Sequence, residues 1–115
     1  MRITKNTIAS IIRNGGATIN KFSERVTLKS GYQVSKQDLY ILPLSEFTKH
    51  ILINCIQLLT TRGEYLGVWI DNNLVYIDIS KRYATKAAAE EAGRALNQLS
   101  ILRWRDMECI YIRED

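Results

Sequence analysis

The sequence predicts an α+β fold in which antiparallel β-hairpins pack with two or three helices. Three observations carry this: strict side-chain alternation from Tyr65 to Ser80 about an Asn72-Asn73 turn, helical runs opened by cap residues, and connections too short for parallel crossovers. The chain of 115 residues, 46% of them hydrophobic, fits one compact domain over 1–115. That length can bury a core without help from a metal or a disulfide.

The first element is a short helix through about Asn14, capped by Thr4 or Asn6, with Ile8, Ile11 and Ile12 at helical spacing and Gly15-Gly16 as its stop. Residues 17–22 and 25–29 read as two strands joined near Ser23-Glu24. Val26 and Leu28 then share one face, and Arg25, Thr27 and Lys29 the other. Residues 31–35 read as a turn or bent strand and 39–42 as a short strand ended by Pro43. Ser45 is the expected cap of a helix from Glu46 to Thr61. Its apolar residues Phe47, Ile51, Leu52, Ile53, Cys55, Ile56, Leu58 and Leu59 leave only the polar stripe of His50, Asn54, Gln57 and Thr61. A helix this apolar is expected to be buried on more than one side, either inside the chain or in a homodimer contact.

The hairpin is the sharpest local reading. A two-residue turn at Asn72-Asn73 pairs Ile70 with Val75, Val68 with Ile77 and Leu66 with Ile79, making one face aliphatic. The other face pairs Trp69 with Tyr76 and Gly67 with Asp78, with Tyr65 beside them. Thr85 caps a further helix to about Gln98, with Ala88, Ala92, Ala95, Leu96 and Leu99 as its packing face and Glu90–Arg94 paired outside. Residues 99–104 and 108–113 form a terminal hairpin, with Ile101, Cys109, Ile110 and Tyr111 available for packing. The predicted order is α-β-β-(β)-α-β-β-α-β-β.

Charge is unevenly spread. Residues 1–37 hold seven Lys or Arg against one acid, Glu24, a local net of +6 in a chain whose total is +4. The basic excess therefore belongs to the N-terminal third, where a polyanion is a candidate partner and a solvated surface the plainer alternative. Cys55 and Cys109 both lie in apolar runs, which suits two reduced, buried thiols. With neither an apolar leader nor a membrane-length apolar run, the expectation is a cytoplasmic protein without membrane contact.

Little in the sequence announces chemistry. There is no phosphate-binding glycine loop, no nucleophile elbow, and no His-x-x-x-His or Cys-x-x-Cys pair. One histidine and two separated cysteines argue against a zinc site or a histidine-based nucleophile mechanism. His50, four residues after Glu46, reads as a helix-surface partner. Asp71 and Asp78 are not placed as an acid/base pair. The chain therefore reads as a non-enzymatic binding protein that needs no cofactor and no metal.

A resemblance adds context. The runs Gly31-Tyr32-Gln33-Val34-Ser35 with Asp38-Leu39-Tyr40, Gly67-Val68-Trp69-Ile70-Asp71, Tyr76-Ile77-Asp78-Ile79-Ser80 and Gln98-Leu99-Ser100-Ile101 resemble small accessory proteins encoded by phages and prophages of Gram-positive, especially streptococcal, bacteria. The pattern departs from that group near the last strand, where Arg103-Trp104-Arg105-Asp106 replaces an Asp-Trp. Several such loci encode inhibitors of host defence, including anti-CRISPR proteins that block Cas9-type effectors. The resemblance thus implies a host-cell cytoplasmic inhibitor whose partner is a defence protein such as a guide-RNA-loaded nuclease. The basic total charge disfavours nucleic-acid mimicry and favours contact with guide phosphates, with an acidic protein patch or with an effector domain held in place. A nucleic-acid-binding accessory protein and a sponge for a signalling nucleotide are the alternatives.

Two surfaces follow as candidates for binding. One is the aromatic face of the hairpin, Trp69, Tyr76 and Tyr65, residue types enriched at interface hot spots, or else a second packing layer under a helix. The other is a basic strip of Lys21, Arg25 and Lys29 on the N-terminal strands.

Overall fold

The computed structural model describes residues 3–60 and 63–113. Among them, three α-helices and six strands form an α+β fold. The elements are α1 (Lys5–Asn14), β1 (Gly16–Ile19), β2 (Tyr32–Pro43), α2 (Lys49–Ile56), β3 (Glu64–Asp71), β4 (Leu74–Tyr83), α3 (Lys86–Ala95), β5 (Ser100–Arg103) and β6 (Glu108–Tyr111). The strands make one sheet in the order β1-β3-β4-β2-β5-β6, and every neighbouring pair is antiparallel.

Local chemistry explains why the helices begin where they do. Thr4 caps α1 in a reciprocal box with Thr7, and Gly15 ends it in the left-handed conformation (φ 79°) that a residue without Cβ adopts without strain. Thr48 and Thr85 cap α2 and α3 by accepting from the backbone N–H three residues on. The β3–β4 hairpin has the predicted register throughout. Asn72 and Asn73 both take positive φ, 50° and 62°, as a turn matched to the twist of the strands requires.

The aliphatic side of that hairpin is the centre of the core. Leu66, Val68, Val75, Ile77 and Ile79 pack with Ile19 and Leu42 beneath Ile8 and Ile11 of α1 and Leu52, Cys55 and Ile56 of α2. Burying each such side chain contributes about 1.5–3 kcal/mol before entropy is charged against it. A smaller cluster joins Val34, Ile101, Tyr32 and Tyr83 to Ala89 of α3. Strand alternation puts Tyr83 on the same side as Val75, Ile77 and Ile79, so all three helices lie on one face of the sheet.

Several expectations are corrected. Residues 25–29 form no strand. Asn20 turns the chain by accepting at Oδ1 from the N–H groups of Phe22 and Glu24, and the returning segment makes one bridge, Ile19 to Arg25, before leaving the sheet. β1 instead pairs along its length with β3. The turn and short strand expected over 31–42 are one strand of twelve residues. The helix expected from Glu46 to Thr61 shrinks to eight residues, because Leu44–Glu46 is a 3-10 turn and Thr48 supplies the cap in place of Ser45. Its expected end at Thr61 lies outside the described residues. Phe47 is buried ahead of the helix, and Leu58 lies beyond its end and is half exposed, so the apolar run is not one uniformly buried cylinder. The packing face of α3 is Ala89 and Gly93, with Ala88, Ala95, Leu96 and Leu99 exposed. Gly93 wins that face through close approach: a Cβ there would stand 2.5 Å from Cδ1 of Ile112 and 3.2 Å from Cγ2 of Ile101. Finally, Cys55 is buried as expected, but Cys109 is exposed on β6.

Candidate functional site

With the helices on one side, the other face of the sheet has no helix over it among the described residues. Register pairs place a row of Gly16, Trp69, Tyr76 and Ile41 across four strands of this face. Trp69 is 65% exposed, Ile41 64% and Tyr76 37%. The structure therefore sets Trp69 beside Tyr76, as the sequence predicts, and places Tyr65 on the same face two rows away, opposite Ser80; among the described residues no helix packs over them. Isolated exposed apolar residues are ordinary, whereas an adjoining indole, phenol and isoleucine on one face of a sheet form a patch suited to association.

The next row, one pleat repeat or about 6.7 Å along the strands, reads Thr18, Gly67, Asp78 and Asp38. Asp78 is half-buried and well held. Its Oδ2 accepts from Ser35 Oγ at 2.9 Å and its Oδ1 from Ser80 Oγ at 3.1 Å, and the Gly67 backbone also hydrogen-bonds to it. Gly67 makes room for this arrangement: a Cβ there would come within 2.4 Å of Asp78 Oδ1. Burial pushes the Asp78 carboxyl above its ordinary range. The two serine hydroxyls pull against that shift, and the neighbouring charge of Asp38 adds to it.

Asp38 reaches this face because β2 is irregular. The register slips by one residue between Ser35 and Gln37 and again between Asp38 and Tyr40, so that Gln37 opposes Ile79 and Tyr40 opposes Ile77. Under strict alternation from Ser35, Asp38 would face the helices. The paired bulges turn it outward beside Asp78 and return Ile41 to the same face, the re-aiming of side chains that bulges commonly provide. Lys36, at the first bulge, reaches the helix side and meets the buried Glu64 at 2.6 Å.

The far end of the face is closed by its own residues. Arg82 donates to Ser30 through Nε and Nη2, and buried Trp104 donates from Nε1 to Gln33 Oε1 at 3.0 Å.

The proposed basic strip fares differently. Lys21, Arg25 and Lys29 lie in the loop between β1 and β2, where no strand exists to align Arg25 with Lys29. Arg25 Nη1 donates to Ser10 Oγ of α1 at 2.6 Å, and Lys21 Nζ stands 5.3 Å from the centroid of the exposed Phe22 ring. The three cations are therefore separate loop features.

Ile41 and Asp38 are the members of the aromatic face that sequence reasoning left out, and Asp78, which it set on this face opposite Gly67, is the one it gave no role. Asp78 had a signal, since the hairpin register set it opposite a glycine, a gap that a neighbouring side chain can fill. Asp38 had none, because its outward direction depends on two bulges. Among the described residues, no three His, Cys, Asp or Glu side chains gather as a metal site, and no helix is long and apolar enough to cross a membrane. Comparison with protein-family models, curated proteins and solved structures finds no match to this chain.

Proposed function

We propose that this chain is a non-enzymatic binding protein that docks the open face of its sheet on a protein partner. In the phage setting implied by the resemblance, it inhibits a host defence system by binding a Cas9-type effector. The observation that carries the docking reading is the exposed row of Trp69, Tyr76 and Ile41 on a face with no helix above it. Tryptophan and tyrosine dominate interface hot spots because each buries a large area at the entropic cost of only two side-chain torsions. A six-stranded sheet braced by helices on its other side presents them on a rigid platform, which lowers the ordering cost of association.

Purified guide-loaded Cas9 of the host tests this directly, with binding and target cleavage followed as salt is raised. Trp69→Ala should weaken binding by about 2 kcal/mol or more and relieve inhibition, with little dependence on salt. The charge excess of residues 1–37 supports a second reading, nucleic-acid binding through the N-terminal loop. On that reading Arg25→Glu with Lys29→Glu abolishes binding, nuclease treatment removes the partner, and affinity falls steeply with salt. Absence of any binding or inhibition of the effector would overturn the anti-CRISPR reading. Binding insensitive to Trp69→Ala would overturn the docking face.

A further inference from the structure

Resting on that docking face, we propose that its partner presents a basic side chain, arginine or lysine, whose stem lies along Trp69 and Tyr76 and whose charge meets Asp78 and Asp38. The first ground is charge complementarity. Although the chain is basic overall, this face carries the carboxylates of Asp38 and Asp78 in its central row, and Asp71 follows Trp69 at the turn end. Arg82, the cation that alternation places here, lies two rows beyond Asp78 and is turned to Ser30. Lys36 and Lys81 face the helix side, Lys36 against Glu64 and Lys81 near the Tyr83 ring.

The second ground is the pairing of Asp38 with Asp78 itself. Like charges directly opposite on neighbouring strands are destabilising. Here the juxtaposition is created by two bulges, and serine hydroxyls hold one carboxylate in place. A local rule broken beside an exposed aromatic patch points to a site completed from outside. A guanidinium or ammonium between the carboxylates relieves their repulsion with charge-assisted hydrogen bonds, while the indole and phenol rings accept its apolar stem or its cationic face. The two rows are about 6.7 Å apart, so a single long basic side chain spans them.

Selection of a random twelve-residue peptide library on the full chain, with each enriched peptide titrated against variants, tests the inference. The expected result is peptides carrying Arg or Lys whose binding falls about tenfold or more in Asp38→Asn, in Asp78→Asn and in Trp69→Ala, with only the shallow salt dependence of a single ion pair. Replacing the peptide's arginine by citrulline, or its lysine by norleucine, should give a comparable loss with the protein untouched, so a variant that folds poorly does not decide the matter. Uncharged peptides that need Trp69 but neither aspartate overturn the basic-partner inference and leave the docking face standing. Acidic peptides sensitive to Arg25 and Lys29, or no peptide sensitive to Trp69, overturn both.

Discussion

Adding one methyl group at Gly67 should uncouple the carboxylate at the centre of the open face. Gly67 lies in ordinary strand conformation, so alanine meets no backbone penalty, but its Cβ would stand 2.4 Å from Asp78 Oδ1 and 3.4 Å from Asp78 Cγ. The carboxylate must swing away. That movement breaks the 3.1 Å bond from Ser80 and strains the 2.9 Å bond from Ser35. Hydrogen bonds to a charged group contribute about 1.5–3 kcal/mol each. Against the loss of one stands a gain of about 0.5–1 kcal/mol for alanine over glycine inside a strand. Gly67→Ala should therefore cost about 1–2 kcal/mol, a fall in Tm of about 4–8 °C for a chain of this size. In an Asp78→Ala background the obstacle is gone, and the same change should stabilise by about 0.5–1 kcal/mol. Urea denaturation of the four proteins, followed by near-ultraviolet circular dichroism, gives the coupling directly, with about 2 kcal/mol expected. A coupling below about 0.5 kcal/mol, the usual error of additivity, would refute the claim that Gly67 exists in this strand to seat Asp78.

Three further outcomes follow. Trp104→Phe removes the donor to Gln33 Oε1 in a buried site and should cost about 1–3 kcal/mol; adding Gln33→Leu should recover part of the loss in the same denaturation assay. A thiol reagent should modify one cysteine of the native chain, Cys109, and both after unfolding, because Cys55 is buried and its thiol is pushed up to about 11; Cys109→Ser should abolish native labelling. Asp78 sets a pH dependence whose sign is fixed by its raised pKa: the ionised carboxylate costs native stability at neutral pH, and that cost is relieved as pH falls through the folded value toward the ordinary 3.8. Wild type should thus gain stability relative to Asp78→Asn as pH is lowered from about 7 to about 4, and a relative loss over that range would contradict the burial of the charged form.

How legible the chain is varies with the range of the interactions involved. The β3–β4 hairpin is local: Asn72-Asn73 sets the turn, alternation sets the register, and all eight register pairs follow from residues within twenty positions of one another. The Thr4 and Thr85 caps are local too, since a side-chain oxygen and an N–H three residues on need no distant partner. The 25–29 segment failed for the opposite reason. Its alternation suits a strand and the outer edge of β1 is free to take it, but after the Asn20 turn the segment makes a single bridge there, Ile19 to Arg25, and then leaves toward β2. In α3 the apolar pattern favoured the alanine and leucine stripe, while the sheet selected Ala89 and Gly93, where the absence of a side chain lets Ile101 and Ile112 come close.

The same division holds for the candidate site. The pairing of Trp69 with Tyr76, opposite the aliphatic face, is determined by the sequence alone, because a two-residue turn and a two-residue repeat leave no other choice. That this face stays open is decided only by tertiary structure, since α1, α2 and α3 all pack on the other side and nothing in the hairpin dictates where they go. Asp38 shows the limit most plainly. Two one-residue slips in β2 reverse the direction of one short stretch between Ser35 and Ile41, and only pairing against β4 reveals where a strand bulges. Sequence periodicity reports which residues can share a face; which face meets the partner depends on how distant elements divide the two sides of the sheet between them.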